Sequence, residues 1–338
     1  MKIKQTIGIN VFIYVTSCWI FPYVCNIRMI AKMITPSFLQ ADDTVGLIAP
    51  AYHIDPFQWE PVIPLLRSWG LRVKTGNTLH LQHHVFAGND AQRLDDLVAM
   101  MRDPQIKAVF CARGGYGCSR LLSHLEPYSP AFGPKWLIGY SDVTALASFM
   151  VNRMRYQCIH GPMPIDLAGA QSPVGQKSWD HLYNLLFGQM PTYSFPSDGM
   201  NRCGNVTAPV VGGNLSVMYS LNASPYQWQT DGCILFIEDV NENFYHLDRM
   251  MTNLRISGQL AGLKGLLVGA MNGMRDSEPS FGKTAYEIIA SHVADYSFPV
   301  AFGFPAGHNG VNFPIVLGAN ASLKVTEQMV VFDQTNCK

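Results

Sequence analysis

The stretch WLIGYSDVT, residues 136–144, is a short apolar run that ends at a glycine and leads into polar residues. The apolar part predicts a buried strand over Trp136–Tyr140, and the apolar spacing after it predicts a helix over Val143–Met154. A strand that runs directly into a helix is the first half of a βαβ unit. Ser141 and Asp142 therefore occupy a turn at the carboxyl end of a predicted strand.

The same alternation of apolar runs and amphipathic stretches extends on both sides of this turn, over residues 36–163. It predicts an α/β domain with a doubly wound, mainly parallel sheet. The predicted strands are Val45–Ala49, Leu71–Lys74, Lys107–Cys111, Trp136–Tyr140 and Cys158–His160, and the predicted helices are Phe57–Trp69, Asp90–Arg102 with Asn89 as N-cap, Ser119–Leu125 and Val143–Met154.

Residues 164–205 change in character, because proline, serine and glycine dominate around one helix-like stretch, Trp179–Phe187. We expect a connector there and a second, smaller α/β domain over residues 206–338. The predicted strands of this second domain are Val206–Val211, Ile234–Ile237, Gly265–Gly269, Val300–Phe302 and Leu323–Phe332, and its predicted helices are Leu215–Leu221, Tyr245–Ile256 and Thr284–Val293.

The composition of the 338 residues, 48% hydrophobic and 14% charged, indicates compact domains with large buried cores and argues against disorder or a small disulfide scaffold. Lys plus Arg equals Asp plus Glu at 24 each, and we find no basic stripe, so we expect no nucleic-acid partner. The eight cysteines form no CxxC pair and no cluster with histidine at metal-ligand spacing. We therefore expect buried, reduced cysteines, no metal and no other cofactor.

The first forty residues surround an apolar run, Ile7–Val24, and their charged residues are all basic: Lys2, Lys4, Arg28 and Lys32. This segment has three interpretations: a signal peptide, a membrane span of marginal length at about 18 residues, or a leader upstream of a later start at Met29 or Met33. We favour the last, with residues 1–32 outside the fold and the protein in the cytoplasm. Export or membrane anchoring through residues 1–25 is the alternative.

Polar residues follow several predicted strands, at the edge where doubly wound sheets bind ligands. ARGGYG, residues 112–117, has the consecutive glycines that let backbone N–H groups face an anion, but it lacks the phosphate-loop and dinucleotide-loop spacings. Ser141 is either a nucleophile or, like Asp142, a plain helix N-cap. A nucleophilic serine needs a base and a carboxylate, and Glu238 after a strand and His308 after a Gly/Pro loop are the candidates.

Six short motifs occur in one order along the chain: Gly46–Pro50 (GLIAP), Arg113–Gly117 (RGGYG), Ile138–Asp142 (IGYSD), Gly212–Asn214 (GGN), Phe236–Asp239 (FIED) and Pro305–His308 (PAGH). With these motifs the sequence resembles, over roughly residues 36–325, the LD-carboxypeptidases, a serine peptidase family that acts on murein tetrapeptides. The resemblance implies a flavodoxin-like N-terminal domain, a smaller α/β C-terminal domain and an active site in the cleft between them. Members of the family typically begin shortly before the first strand, which favours the start at Met33.

The resemblance also implies a catalytic triad of Ser141 as nucleophile, His308 as general base and Glu238 as the group that orients the imidazole. We expect the backbone N–H groups of Asp142 and Gly115 to form the oxyanion hole. Candidates for binding the carboxylates of a murein peptide are Arg113, Asn214, Tyr245 and Arg249, each of which is equally well interpreted as a solvated or structural residue. The segment Asn241–Phe244 departs from the family pattern, so the diamino-acid preference stays open.

The leading prediction is a serine LD-carboxypeptidase that removes the terminal D-alanine from murein tetrapeptides during cell-wall recycling. One alternative is an immunity-type peptidase of the same family that cleaves toxic peptide–nucleotide conjugates, which the short connector disfavours. Another is a two-lobed solute-binding protein, but this alternative does not explain why Ser141, Glu238 and His308 all follow predicted strands. The expected partners are the peptide substrate and, from the family resemblance, a second copy in a homodimer, with no membrane partner unless the leader is retained.

Overall fold

The computed structural model describes residues 32–171 and 173–335, and the predictions made for residues 1–31 lie outside the described residues. The strands are β1 (Thr44–Ile48), β2 (Arg72–Thr75), β3 (Ile106–Cys111), β4 (Trp136–Ile138), β5 (Cys158–His160), β6 (Thr192–Pro196), β7 (Gly204–Asn214), β8 (Ile234–Val240), β9 (Gly265–Asn272), β10 (Val300–Ala301), β11 (Ile315–Leu317), β12 (Asn320–Val325) and β13 (Met329–Asp333). The α-helices are α1 (Pro56–Trp59), α2 (Val62–Ser68), α3 (Asp90–Arg102), α4 (Leu122–Leu125), α5 (Thr144–Ser148), α6 (Pro173–Leu186), α7 (Leu215–Leu221), α8 (Phe244–Ile256) and α9 (Ala285–His292).

Short helical turns connect several of these elements. The 3-10 turns are Asn77–His80, Cys118–Leu121, Ser129–Ala131, Ser141–Val143 and Pro164–Gln171, and a π-helical segment, Phe149–Met154, continues α5. In the part of the chain that the structure describes, no helix combines the length and the apolar character needed to cross a membrane.

Two sheets organise the fold. The first has the strand order β11-β5-β4-β3-β1-β2, in which β1 to β5 are parallel and β11 is antiparallel to β5. The second has the order β10-β9-β8-β7-β12-β13-β6, with β7 to β10 parallel and the remaining three strands antiparallel. The predicted α/β fold, with a parallel sheet in the N-terminal half and a second sheet after it, is confirmed.

Helix α3 matches its predicted bounds because its start is encoded locally. The Asn89 side chain accepts the Gln92 N–H at 2.9 Å, and the Gln92 side chain accepts the Asn89 N–H at 2.9 Å, which closes a capping box. The apolar residues of the helix face the core, with Leu97, Met100 and Met101 buried.

Two predicted elements are interrupted in the structure. The helix predicted over Phe57–Trp69 divides into α1 and α2, since Pro61 has no N–H to continue a helix and instead precedes the first turn of α2. The strand predicted over Leu323–Phe332 is the hairpin β12–β13, in which Thr326 Oγ1 accepts the Met329 N–H at 3.1 Å.

The chain also passes between the sheets in a way that the predicted boundaries at 163 and 206 do not describe. Strand β6, inside the predicted connector, pairs with β13 in the second sheet. Strand β11, inside the predicted second domain, pairs with β5 in the first sheet. Helix α6 packs Trp179 and Leu182 into the same core as β1.

Candidate active site

Ser141 follows β4 in a strained backbone conformation, with φ at +60°. A left-handed φ at a residue other than glycine costs about 1–3 kcal/mol and persists where the surroundings enforce it, commonly at functional sites. Tyr140 holds the N-cap position of the following turn, and no side chain of the described residues caps that turn. The N-cap interpretation of Ser141 and Asp142 therefore does not describe what these two side chains do.

The glycine-rich loop Arg113–Gly117 lies directly against this turn. A Cβ atom on Gly114 would lie 3.0 Å from Ser141 Oγ and 3.3 Å from the backbone nitrogen of Asp142, and one on Gly115 would lie 2.5 Å from the Tyr52 ring. The N–H of Asp142 belongs to the first turn of a helix, where it has no intrahelical acceptor. These contacts place both predicted oxyanion donors on elements next to Ser141.

Asp142 fixes that loop through its side chain. The carboxylate is buried and accepts the N–H of Cys118 at 2.8 Å, just beyond the loop. Burial raises the pKa of Asp142, which the Cys118 hydrogen bonds only partly offset. The side chain therefore ties the loop to the nucleophile turn and does not face solvent.

Glu238 is fully buried in β8 at an irregularity in the pairing with β9, between Ile237 and Asp239. Bulges of this kind redirect side chains near active sites. Glu238 Oε2 lies 2.7 Å from His308 Nδ1, and Glu238 Oε1 accepts Asn214 Nδ2 at 3.3 Å. Burial acts to raise the pKa of Glu238, but the charge and hydrogen bond of His308 outweigh it and hold the pKa below its usual value.

His308 lies on the loop after β10, and Gly307 allows its approach to Glu238. Gly307 has φ at +112°, and a Cβ there would lie 2.7 Å from Glu238 Oε2. The imidazole is 19% exposed and its centroid lies 4.7 Å from that of Tyr140, the residue before Ser141. Burial acts to lower the pKa of His308, but the Glu238 carboxylate outweighs it and the pKa is raised.

The structure therefore pairs Glu238 with His308 and places the His308 ring against Tyr140, the residue before Ser141. Among the described residues, Ser141 Oγ makes no hydrogen bond to His308, while His308 is already bonded to Glu238. Nucleophile–base hydrogen bonds are often long before substrate binds, so this arrangement is compatible with catalysis.

Four further groups lie close to the triad and are not among the site residues predicted from the sequence: Asp166, His160, Asp239 and Thr144. Tyr140 donates its hydroxyl to Asp166 Oδ1 at 2.9 Å, and Asp166 lines a cavity of about 250 Å³ together with Gly307 and Asn312. Burial lowers the pKa of His160, which lies against Tyr140, to about 4. Burial, followed by the charge of Glu238, raises the pKa of Asp239 to about 7.

The fourth group is Thr144, whose side chain bonds to Asn214. Asp166 lies in the proline-rich stretch, where nothing in the local sequence marks it. Thr144 and Asp239 flank predicted catalytic residues, but their partners are distant in the chain.

The predicted substrate contacts occupy different environments. Asn214 is buried, and its side-chain oxygen accepts from Ser216 Oγ and from the N–H of Val217, which favours a supporting role. Arg113 donates to the carbonyl of His53 at 3.0 Å, and its buried Nε has no partner among the described residues. Tyr245 and Arg249 are exposed on α8, with the guanidinium 5.4 Å from the ring centroid. Over residues 32–171 and 173–335, no cluster of three His, Cys, Asp or Glu residues is placed to hold a metal ion.

Two family models match the chain: the LD-carboxypeptidase N-terminal domain over residues 45–161 and the LD-carboxypeptidase C-terminal domain over residues 207–323. The protein belongs to the LD-carboxypeptidase family and is a serine-type carboxypeptidase. The family predicted from the six motifs is confirmed.

Named relatives agree with this assignment. A probable murein peptide carboxypeptidase of Bacillus subtilis is 32% identical over 303 residues, which is 88% of this chain and 94% of the relative. The crystal structure of a muramoyltetrapeptide carboxypeptidase from Oxalobacter formigenes is 25% identical, covers 86% of this chain and 98% of its own, and superposes with a TM-score of 0.76. The microcin C7 self-immunity protein of Escherichia coli is 23% identical over 330 residues, 86% of this chain and 95% of its own.

Proposed function

We propose that this carboxypeptidase removes the terminal D-alanine from murein tetrapeptides with Ser141, His308 and Glu238 as its triad. The observation that carries the proposal is the 2.7 Å contact between the buried Glu238 and the partly exposed His308, together with a serine in a strained turn. The names of the Bacillus and Oxalobacter relatives support the substrate class.

The roles of the triad atoms follow from the hydrogen bond between Glu238 and His308. Glu238 holds Nδ1 of His308, which leaves Nε2 to take the proton of Ser141 Oγ as that oxygen attacks the carbonyl carbon before D-alanine. His308 then gives the proton to the D-alanine nitrogen, the C–N bond breaks, and the peptide stays esterified to Ser141. A water molecule, deprotonated by His308, then attacks the ester carbonyl; the bond to Ser141 Oγ breaks, His308 returns the proton to that oxygen, and the shortened peptide leaves.

Charge develops at two points in this reaction. The negative oxygen of each tetrahedral intermediate would accept the N–H groups of Asp142 and Gly115, which lie at a helix start and in the glycine loop. The imidazolium would be stabilised by Glu238, the group that raises the pKa of His308. Arg113 is the candidate for the terminal carboxylate of the peptide, because it begins the glycine loop and its Nε has no hydrogen-bond partner among the described residues.

We further propose that the enzyme acts in the cytoplasm on peptides released during wall turnover. The segment just after Met33 already belongs to the fold, through hydrogen bonds of Ile34 with Arg155 and of Leu39 with Leu186. The N-terminal mass of protein isolated from its native cells would test this proposal, and light scattering would test for the expected homodimer.

The function is tested with the purified full chain and a free murein tetrapeptide ending in D-alanine. We expect release of D-alanine by the wild type, measured by mass spectrometry, and a loss of several powers of ten in Ser141→Ala. A peptidyl-nucleotide conjugate serves as the competing substrate. Cleavage of the conjugate without D-alanine release would favour the immunity-type activity, and equal activity of Ser141→Ala would refute the triad.

A further inference from the structure

Three polar side chains line one buried face of the helix that follows Ser141. They are Thr144, Ser148 and Asn152, spaced four residues apart along α5 and its π-helical continuation, and each is at most 8% exposed. A buried polar group destabilises the fold unless it is hydrogen-bonded, so the hydrogen-bond partners of these side chains indicate the role of this face.

All three side chains bond to backbone atoms that follow β7 or end it. Thr144 Oγ1 accepts the N–H of Asn214 at 3.0 Å. Ser148 Oγ donates to the carbonyl of Tyr226, and Asn152 Nδ2 donates to the carbonyl of Gln227 at 3.0 Å. We call these three residues the polar seam. It joins the helix that starts at the nucleophile to the half of the protein that holds Glu238 and His308.

Thr144 is the member of the polar seam nearest to the reaction centre, three residues after Ser141. Its partner strand approaches closely because position 213 is glycine: a Cβ on Gly213 would lie 2.6 Å from Thr144 Oγ1. Gly213 also has φ at +143°, which glycine adopts without strain.

Asn214 also forms hydrogen bonds to the triad carboxylate and to its neighbour. Its side-chain Nδ2 donates to Asp239 Oδ1 at 3.0 Å and to Glu238 Oε1 at 3.3 Å. Asp239 Oδ2 in turn accepts the N–H of Ser216 at 2.8 Å, which holds the start of α7. A continuous set of hydrogen bonds therefore runs from the helix of the nucleophile to the carboxylate that orients His308.

We propose that Thr144 is a positioning residue that acts through Asn214 to fix Ser141 relative to His308; the proposal rests on the proposed triad. The nucleophile and the base follow strands of different sheets, β4 and β10, so their separation depends on how the two halves are held together. A misplacement of about 1 Å is enough to cost about a hundredfold in rate. Thr144 supplies a polar contact between the halves within one helical turn of the nucleophile.

The test compares Thr144→Val, Thr144→Ser and Ser148→Ala in the full chain with murein tetrapeptide. Valine keeps the shape of threonine but removes the acceptor, so we expect kcat to fall about tenfold or more with KM changed by less than about twofold. Serine keeps the hydroxyl and should hold kcat within about threefold of the wild type. Ser148→Ala removes the next contact of the polar seam and should reduce thermal stability while leaving kcat within about threefold.

A second measurement does not depend on the substrate. Crystal structures of the wild type and the three variants give the distance from Ser141 Oγ to His308 Nε2, which we expect to change by about 0.5 Å or more in Thr144→Val alone. The proposal is wrong if Thr144→Val keeps both this distance and kcat, or if Ser148→Ala lowers kcat as much as Thr144→Val. Absence of D-alanine release by the wild type would instead refute the proposed substrate, and the crystal structures would still decide the role of Thr144.

Discussion

At the scale of single residues, the site depends on glycines that let charged groups approach each other. Gly307 is the clearest case, because a Cβ there would lie 2.7 Å from Glu238 Oε2 and 2.9 Å from Glu238 Cβ. Gly303, on the same loop, has a comparable left-handed φ of +81°, yet a Cβ there would meet no atom of the described part of the chain within 4 Å. Alanine at position 303 would therefore introduce backbone strain alone, whereas alanine at position 307 would also clash with the triad.

We predict that Gly307→Ala lowers kcat/KM by about a hundredfold, because the new methyl group displaces Glu238 from His308. Gly303→Ala carries the same kind of backbone strain, and we expect a loss of stability of about 1 kcal/mol with kcat/KM nearly unchanged. Steady-state kinetics and thermal unfolding of both variants check this. Similar kinetic losses in both variants would contradict the role given to the Glu238 contact.

The pH dependence of activity should follow His308. The imidazole must be neutral to accept the serine proton, and Glu238 raises its pKa above the usual value, so kcat/KM should rise with pH as His308 loses its proton. In Glu238→Gln the charge is gone, burial still acts to lower the pKa, and the acidic limb should move to lower pH while the plateau falls.

Asp166→Asn is the matched control, since Asp166 makes the smallest of the contributions that raise the pKa of His308. Asparagine keeps one acceptor oxygen for the Tyr140 hydroxyl but loses the oxygen that accepts the Met163 N–H at 2.9 Å, so we expect a smaller shift of the limb in the same direction together with some loss of stability. An acidic limb that stays in place in Glu238→Gln would show that another group controls it.

At the scale of elements, the sequence predicts those whose signals are local. The capping residues of α3 lie within four positions of each other, and the apolar run before Ser141 ends in a visible turn. Strands β6 and β11 were missed because five and three residues give too little periodicity, and their partners lie more than a hundred residues away. The motifs predict Ser141, Glu238 and His308 as a triad, whereas no motif predicts the hydrogen bond from Asn214 to Thr144, whose partners come together only on folding.

Asp142 links the nucleophile turn to the glycine loop, so removal of its side chain should affect both stability and activity. Asp142→Ala leaves the buried N–H of Cys118 without its acceptor, which costs about 1–3 kcal/mol and frees the loop that carries Gly115. We therefore expect lower kcat together with lower stability. Asn89→Ala, which removes the cap of α3 and costs about 1 kcal/mol, should lower stability with kcat unchanged. A normal kcat in Asp142→Ala would show that the position of the glycine loop does not matter for catalysis.

At the scale of the whole molecule, the two halves are built from interleaved segments of chain. Strand β11 covers the β5 edge of the first sheet, and α6 covers its face with Trp179, Leu182 and Leu186 in one core with Val45 and Phe110. The sequence alone could not predict this interleaving, because the apolar face of α6 packs against strands that are distant in the chain. The first half is therefore complete only with segments that come after residue 163.

This interleaving predicts that a fragment of residues 32–163 does not fold alone. Without α6 and β11 it would expose an apolar sheet face and an unpaired strand edge, both of which favour aggregation. We expect the fragment to lack a cooperative thermal transition in circular dichroism, and co-expression with a fragment of residues 164–338 to restore a folded, active complex. The intact chain serves as the reference. A cooperative transition in the isolated 32–163 fragment would show instead that the first half is an independent domain, and that α6 and β11 only add to a sheet that is already stable.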